Sequence, residues 1–186
     1  IPKERMQVYF IDNDEYFKRK AIFSDEDDQL FSDNDERAIF FAKGVVETVK
    51  KLNWAPDIIH VHGWMASLLP LYIKEYYSEE PLFSESKIVT SVYDKDFEGS
   101  LNTELVEKIK FDKISDEKTN ILKEPNYTNI IKSAVSNSDA IVKGSKQIPD
   151  EIDEEIIKNE IPALSFQEED SFESYLNFYE ELISEE

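Results

Sequence analysis

The chain has 186 residues, of which 41 are acidic and 21 basic, and its formal net charge is −20 at pH 7. This charge repels the phosphate backbone of nucleic acids, and no long run of Lys or Arg interrupts the acidic sequence, so we expect no nucleic-acid partner. With 2 Trp, 9 Tyr and 12 Phe, the chain is too aromatic for an acidic disordered protein, and its length suits one compact domain.

The sequence has no cysteine, which excludes disulfides, thiolate nucleophiles and cysteine-bound zinc and is typical of a reducing compartment. No apolar run approaches the roughly 20 residues that a membrane span needs, and no signal peptide opens the chain. We therefore expect a cytoplasmic protein without a membrane partner. Because the first residue is Ile1 rather than methionine, we expect the domain over residues 1–186 to be truncated at its start.

The first predicted element is a buried strand over residues 6–11, which are rich in β-branched and aromatic side chains. Residues 12–35 are predicted to be mostly loop. The acidic part of this loop lacks the glycine that an EF-hand needs, so a solvated acidic loop is favoured over a calcium site. Asp33 or Asn34 is the predicted N-cap of the next helix, whose apolar residues recur every three or four positions as far as Leu52.

Strands and helices then alternate along the chain. The pattern of residues 57–62 predicts a strand that reaches Gly63, and a helix is predicted to follow over residues 64–77. The structure of residues 100–125 is ambiguous from the sequence, apart from a short helix near 104–110. Parallel neighbours need a crossover, which a helix supplies, so this alternation predicts an α/β, Rossmann-like three-layer domain with a parallel sheet covered on both faces. The remaining predicted strands are 87–92, 140–142 and 163–166, and the remaining predicted helices are 126–137, 149–158 and 172–183.

Candidate functional residues lie where the predicted strands end, because open α/β sheets bind ligands at the carboxyl ends of their strands. His60 and His62 are two apart on one strand and share a face, an arrangement that can hold a metal when a third ligand is near. The chain has only these two histidines and no cysteine, so no metal site is predicted. We expect His62, at the end of the strand, to face substrate and His60 to be internal and hydrogen-bonded.

The loop over residues 93–99 follows the next predicted strand and combines a phenol, carboxylates and a glycine. These groups are suited to hydrogen-bonding sugar hydroxyls, and an ordinary acidic surface loop remains the alternative. No G-x-G-x-x-G motif follows any strand and no Walker-type lysine loop is present, so neither a dinucleotide site nor a P-loop is predicted. The loop residues of interest are Tyr93, Asp94, Glu98 and Gly99.

Three stretches of the sequence resemble one known family. Residues 34–41 (NDERAIFF), 54–64 (WAPDIIHVHGW) and 69–72 (LPLY) are similar to N-x-E-R-F-x-F-F, W-x-P-D-I-I-H-x-H-D-W and P-x-Y in the amino-terminal domain of bacterial glycogen synthases and plant starch synthases. The resemblance covers roughly residues 9–155, and the matching motifs occur in the same order along the chain as in the family. Further matches lie at residues 90–99 and, more weakly, 138–142.

The resemblance implies half of a two-domain GT-B glycosyltransferase, which extends an α-1,4-glucan with glucose from a nucleotide sugar at a cleft between two Rossmann-like domains. It implies a catalytic role for His62, which corresponds to the histidine of H-D-W near the reacting glucose. Aromatic rings stack on sugars and carboxylates accept their hydroxyls, so an α-glucan or oligosaccharide is the expected ligand. No cofactor is implied beyond the donor substrate, ADP-glucose or UDP-glucose. The implied substrate-binding residues are Trp64, Tyr93, Asp94, Glu98 and Gly99.

Several residues depart from the family pattern. Gly63 replaces an aspartate, Tyr93 and Asp94 replace histidine and asparagine, and residues 144–146 replace V-S-P. No carboxyl-terminal domain with cations for the nucleotide diphosphate precedes Glu186. We therefore expect this chain to be the acceptor-side half of the enzyme, inactive alone, with a separate carboxyl-terminal synthase subunit as a candidate partner.

Two alternatives stay open: a non-catalytic glucan-binding module, and a protein-interaction module, each derived from the same family. Exposed aromatic side chains along the last predicted helix would favour the second alternative, although core packing is the commoner fate of such a stripe. The stripe consists of Phe172, Tyr175, Phe178 and Tyr179.

Overall fold

The structure, a computed structural model that describes residues 6–168 and 172–184, is built around a four-stranded parallel sheet. Its strands are β1 (Ile58–His62), β2 (Lys87–Val92), β3 (Ala140–Lys143) and β4 (Ala163–Leu164). They lie in the order β1-β2-β3-β4, and each neighbouring pair is parallel. Helical segments make the crossings that this arrangement requires, which confirms the predicted Rossmann-like α/β fold.

Helices flank the sheet and occupy much of the sequence between the strands. Within the described residues, no helix combines the length and the apolar composition needed to cross a membrane. The α-helices are α1 (Asp14–Phe17), α2 (Asn34–Lys51), α3 (Leu69–Leu71), α4 (Leu105–Phe111), α5 (Asp116–Thr119), α6 (Tyr127–Val135), α7 (Asp150–Lys158) and α8 (Phe172–Ser184). The described residues also form three 3-10 turns (Trp64–Ala66, Pro81–Phe83 and Asn120–Lys123) and one π-helix (Tyr72–Tyr76).

Different helices cover the two faces of the sheet. Alternate residues of each strand point to opposite faces. On one face, Ile88 and Ile141 belong to the larger core, together with buried residues of α2, α6 and α7. On the other face, Val89 and Val142 lie in a smaller cluster that Leu182 of α8 closes. Helices therefore cover both faces, as the alternation of elements predicts.

The aromatic stripe of α8 is divided between this smaller cluster and the surface. Tyr175, Phe178 and Tyr179 are partly buried against the cluster, and their spacing puts them on one side of the helix. Phe172, in the first turn, is 82% exposed. Three of the four aromatic side chains of the stripe thus pack against the core.

The predicted strand over residues 6–11 is wrong. These residues form no regular element, and the side chains of Val8 and Phe10 are 62% and 87% exposed. Ile11 instead packs beside α2, where its Cγ2 atom lies 3.0 Å from the position that a Cβ on Gly44 would occupy. A strand needs a partner that takes its backbone hydrogen bonds, and β-branched composition alone does not reveal that partner.

The predicted single helix over residues 64–77 is divided into a 3-10 turn, α3 and the π-helix. Pro70 has no amide hydrogen to continue a regular helical ladder. The amide of Tyr77 donates to the carbonyl of Tyr72 at 2.9 Å, which closes a wider turn. Residues 100–125 hold α4, α5 and a 3-10 turn, more helix than the one short segment predicted.

The start of α2 is fixed by an ion pair rather than by a capping side chain. Asp33 is the N-cap residue, but its carboxylate makes no capping hydrogen bond. It accepts hydrogen bonds from both terminal nitrogens of Arg19, one of them at 2.8 Å, and this pairing lowers the pKa of Asp33. The bidentate contact ties the preceding loop, which also contains α1, to the start of the helix.

Candidate functional site

The candidate site lies at the carboxyl edge of the sheet, where three strands end side by side. His62 is the last residue of β1, Tyr93 directly follows β2, and Gly144 directly follows β3. The register pairs His62 with Ser91, and the three strands run in the same direction. Since open α/β sheets bind ligands at this edge, two of the residues singled out from the sequence meet where a ligand is expected.

A hydrogen bond of 2.8 Å joins the Nδ1 atom of His62 to the phenol oxygen of Tyr93. Partial burial lowers the pKa of His62 below 6.5, so the ring is neutral at pH 7 and carries one proton. The phenol is the more acidic partner, and we assign it as the donor to Nδ1, which leaves the proton of His62 on Nε2. His62 is classed as exposed, so we expect this N–H group to be accessible to a ligand.

Gly144 makes room for the ring of Tyr93. A Cβ atom at Gly144 would lie 2.4 Å from Cε1 and 2.7 Å from Cδ1 of that ring, far inside van der Waals contact. The absence of a side chain therefore lets the phenol lie across the loop after β3 and reach His62. Sequence reasoning placed Gly144 in a segment after a predicted strand and noted its departure from the family pattern, but gave it no role in the site. A glycine directly after a strand was the one available signal.

His60 lies one step deeper in the sheet and is hydrogen-bonded on both ring nitrogens. Its Nε2 lies 2.8 Å from the Oγ of Ser91, and its Nδ1 lies 2.5 Å from the phenol oxygen of Tyr179. Burial, followed by the proximity of His62, lowers the pKa of His60 to about 4. The predicted internal, hydrogen-bonded histidine is confirmed, whereas sequence reasoning did not identify Tyr179 as its partner.

The loop over residues 93–99 is anchored at its base and exposed at its tip. The hydroxyl of Tyr127 donates its single hydrogen to the carbonyl oxygen of Asp94 (2.9 Å), with the carbonyl oxygen of Tyr93 also near at 3.2 Å, and burial raises the pKa of this phenol. The carboxylates of Asp94 and Glu98 lie on exposed residues. Gly99 has a φ of +83°, a conformation that glycine adopts without strain. The loop therefore presents carboxylates from a fixed base.

A cavity of about 380 Å³ lies beside this loop, and Trp64 lines it. Trp64 is only 2% exposed, because its indole packs between the rings of Phe23 and Phe97, with centroids 4.9 and 5.0 Å away. Asp96 also lines the cavity, and its pKa is raised by partial burial and then by the charge of Asp94. Trp64 thus packs the wall of the cavity, and its predicted contact with substrate stays a prediction.

Each lysine near the strand ends is already paired with a carboxylate. Lys143 lies 2.6 Å from Asp153, and Lys146 lies 2.9 Å from Glu168. Within the loop, Lys95 lies 2.6 Å from the exposed side chain of Glu98. In the part of the chain that the structure describes, no group of three or more His, Asp or Glu side chains is placed to hold a metal ion. The edge of the sheet therefore offers hydrogen-bond donors and acceptors rather than a concentration of positive charge.

A more apolar groove of about 610 Å³ lies elsewhere on the molecule. Ile39 and Phe40 of α2 and Phe111 of α4 contribute to its lining. None of its lining residues comes from the loops that follow the strands, so this groove is separate from the candidate site.

Comparison with known proteins places the chain in a family. A family model described as the starch synthase catalytic domain matches residues 1–164. The chain is 34% identical over 171 residues to a glycogen synthase of Chlorobium luteolum, covering 90% of this chain and 33% of the relative. It is 42% identical over 96 residues to a glycogen synthase of Chlorobaculum tepidum, covering 50% of this chain and 19% of the relative. The chain therefore belongs to the starch synthase catalytic-domain family of glycosyltransferases.

A solved structure supports the fold. The catalytic domain of starch synthase IV from Arabidopsis thaliana, bound to ADP and acarbose, superposes with a TM-score of 0.59 at 13% sequence identity. The match covers 80% of this chain and 31% of that one. The chain thus spans about a third of the length of the first glycogen synthase relative and of this structure.

Proposed function

We propose that this domain is the acceptor-side half of a cytoplasmic glycogen- or starch-synthase-like enzyme, which transfers glucose from ADP-glucose or UDP-glucose to an α-1,4-glucan. The single observation on which the proposal rests is the hydrogen-bonded pair of His62 and Tyr93 at the carboxyl edge of the sheet, in a chain of this family. The names of the glycogen synthase relatives, and the ADP and acarbose bound to the starch synthase structure, support it.

In this proposal, His62 binds and orients the sugar rather than removing a proton from it. Its Nδ1 accepts from Tyr93, so the Nε2–H group donates a hydrogen bond to a hydroxyl of the reacting glucose. The carboxylates of Asp94 and Glu98 accept hydrogen bonds from glucan hydroxyls, and Gly99 provides the turn that presents them. Trp64 supports this site from the cavity wall.

We further propose that the domain alone does not transfer glucose. Departure of a nucleotide diphosphate needs cationic donors fixed where negative charge develops. The pairing of Lys95, Lys143 and Lys146 with carboxylates leaves these three side chains poorly suited to that task. The cations would come from a second domain or from a separate carboxyl-terminal synthase subunit, with the glucan held between the two halves.

The pairing of these three lysines with carboxylates also favours a second candidate function, a glucan-binding module without transferase activity. Gly63, which has a φ of +76° and stands where the family has an aspartate, points in the same direction because it offers no carboxylate. The protein-interaction alternative loses its main support, since Tyr175, Phe178 and Tyr179 pack against the sheet.

Calorimetric titration of the chain with maltoheptaose tests the proposed function. We expect the wild-type chain to bind the sugar and His62→Ala to bind about two- to tenfold more weakly, the usual range for one neutral hydrogen bond. Phe111→Ala is the matched control, because Phe111 is 89% exposed and lines the separate groove. Absence of binding at millimolar sugar, or equal affinity of wild type and His62→Ala, would contradict the proposal.

A further inference from the structure

We propose that Tyr179 of α8 is a positioning residue for the candidate site, which holds the imidazole of His62 in place through His60. Tyr179 lies outside residues 1–164, the part of the chain that the family model matches. The effect of Tyr179 on ligand binding rests on the proposed function, since the position of the His62 ring matters for binding only if His62 contacts a sugar. The position of Tyr179 itself follows from the packing of α8.

The helix α8 places Tyr179 on the face of the sheet that carries the histidines. His60 and His62 alternate with Ile59 and Val61 along β1, so the two imidazoles lie on the same face. That face is the one covered by α8, whose Leu182 packs in the smaller apolar cluster. Tyr179 is thus held between the cluster and the imidazole of His60.

A continuous set of hydrogen bonds fixes the imidazole of His60. Its pKa of about 4 keeps the ring neutral at pH 7, with one donor and one acceptor nitrogen. A phenol is a stronger donor than an aliphatic hydroxyl, so Tyr179 donates to Nδ1 (2.5 Å) and Nε2–H donates to Ser91 (2.8 Å). With both nitrogens engaged, the ring has one tautomer and one orientation.

The fixed ring of His60 supports the ring of His62 directly. The two ring centroids are 4.0 Å apart and the ring planes are inclined by 34°, so the two imidazoles are in direct, tilted contact. The Nδ1 atom of His62 is also held by the hydroxyl of Tyr93 at 2.8 Å. Rotation of His60 would therefore remove one of the two contacts that orient the Nε2–H group of His62.

Nitrogen NMR of the histidine rings tests the inference, because the chain has only two histidines and His60→Gln assigns both. In the wild type we expect a proton on Nε2 of each ring. Tyr179→Phe keeps the aromatic packing and removes only the hydroxyl, so we expect averaged tautomers for His60 and shifted ring signals for His62. Tyr175→Phe is the control, since Tyr175 packs in the same cluster without a hydrogen bond to either histidine, and it should leave both rings unchanged.

Repeating Tyr179→Phe in a His60→Gln variant distinguishes an effect of Tyr179 through His60 from a general effect on the packing of α8. If Tyr179 acts through His60, Tyr179→Phe should shift the His62 signals in the wild-type background but not in His60→Gln, a coupling that a double-mutant cycle measures. Unchanged His62 signals in Tyr179→Phe, equal shifts in both backgrounds, or an equal effect of Tyr175→Phe would each overturn the inference. This comparison also remains decisive if Tyr179→Phe loosens the helix, because loosening would act in both backgrounds.

Affinity for maltoheptaose gives the functional consequence. We expect Tyr179→Phe to bind about two- to tenfold more weakly than wild type and Tyr175→Phe to bind within about twofold of wild type. If the wild-type chain binds no sugar, the proposed function fails, whereas the NMR comparison still decides whether Tyr179 positions His62. If Tyr179→Phe shifts His62 and leaves the affinity unchanged, the positioning role in sugar binding is wrong.

Discussion

The ring of Tyr93 reaches His62 only because residue 144 has no side chain. In Gly144→Ala, the new Cβ would lie 2.4 Å from the ring, so the phenol must move and its hydrogen bond to His62 breaks. We expect a loss of about 1–3 kcal/mol in the free energy of unfolding, as for other overpacked sites, together with weaker maltoheptaose binding. Urea denaturation and calorimetry measure the two effects.

The control for this substitution is Lys146→Ala in the same loop. Lys146 is exposed, and its ammonium lies 2.9 Å from the exposed Glu168 and 5.8 Å from the centre of the Phe166 ring. Such surface contacts are weak, so its removal should change the free energy of unfolding by less than about 0.5 kcal/mol. A Gly144→Ala variant as stable as Lys146→Ala would show that the loop relaxes freely and that the fit to Tyr93 is not required.

His60 makes the stability of the fold depend on pH. Its pKa is about 4 in the folded chain and about 6.5 in an unfolded chain. Between these values the unfolded chain binds the extra proton, so stability falls as the pH decreases through this window, by up to about 3 kcal/mol for this group. Above about pH 6.5 both states are neutral and the contribution is constant.

Urea denaturation of wild type and His60→Gln at pH 7 and pH 4.5 measures this effect. The carboxylates titrate in both proteins, so the difference between them isolates the histidine. We expect wild type to lose more stability than His60→Gln between the two pH values. An equal loss would mean that His60 is not buried as a neutral ring.

The site could be predicted from the sequence as far as strand ends define it. His62 and Tyr93 follow apolar runs that are recognisable as strands, and parallel strands bring their ends together. Trp64 shows the limit of such reasoning. The sequence identifies a tryptophan beside the site, but it does not show whether the faces of the indole are free to bind a ligand or are packed by Phe23 and Phe97, as they are here. The contact of Tyr179 with His60 spans 119 positions, and no local pattern indicates it.

Among the elements, α8 is the one that closes the second face of the sheet. Leu182 is 6% exposed in the apolar cluster, whereas Leu176 on the outer side of the same helix is 55% exposed. We expect Leu182→Ala to lower the free energy of unfolding by about 2–4 kcal/mol, because it removes buried methyl groups and leaves a cavity. Chemical denaturation measures this loss.

Leu176→Ala is the matched control, since it makes the same chemical change in the same helix. We expect it to alter stability by less than about 1 kcal/mol, because alanine also favours the helix. Equal effects of the two substitutions would indicate that α8 does not pack against the sheet in solution.

At the level of elements, the sequence predicted the strands of the sheet better than the segments outside it. Residues 87–92 form a strand within the predicted limits because parallel strands are buried on both faces and appear as apolar runs. Residues 6–11 are also rich in strand-favouring side chains, but a strand needs a neighbouring strand to pair with, and composition does not show whether one is present. The division of residues 64–77 depends on tertiary packing around Pro70, which helical periodicity alone does not reveal.

For the whole molecule, the acidic surface and the paired lysines argue against turnover by this chain alone. Loss of one preorganised donor commonly lowers a rate by on the order of a hundredfold. We expect no incorporation of labelled glucose from ADP-glucose or UDP-glucose into glycogen above the blank. A full-length glycogen synthase serves as the positive control. Incorporation that disappears in His62→Ala would contradict the prediction and make this domain sufficient for catalysis.

The position of β1 at the edge of the described sheet has a consequence for the colloidal behaviour of the protein. The outer edge of such a strand presents backbone donors and acceptors that can pair with a second copy. The net charge of −20 opposes that approach, but dissolved ions reduce the range of the repulsion to about 8 Å at physiological ionic strength. Self-association should therefore increase as ionic strength rises, the opposite of an assembly held together by ion pairs.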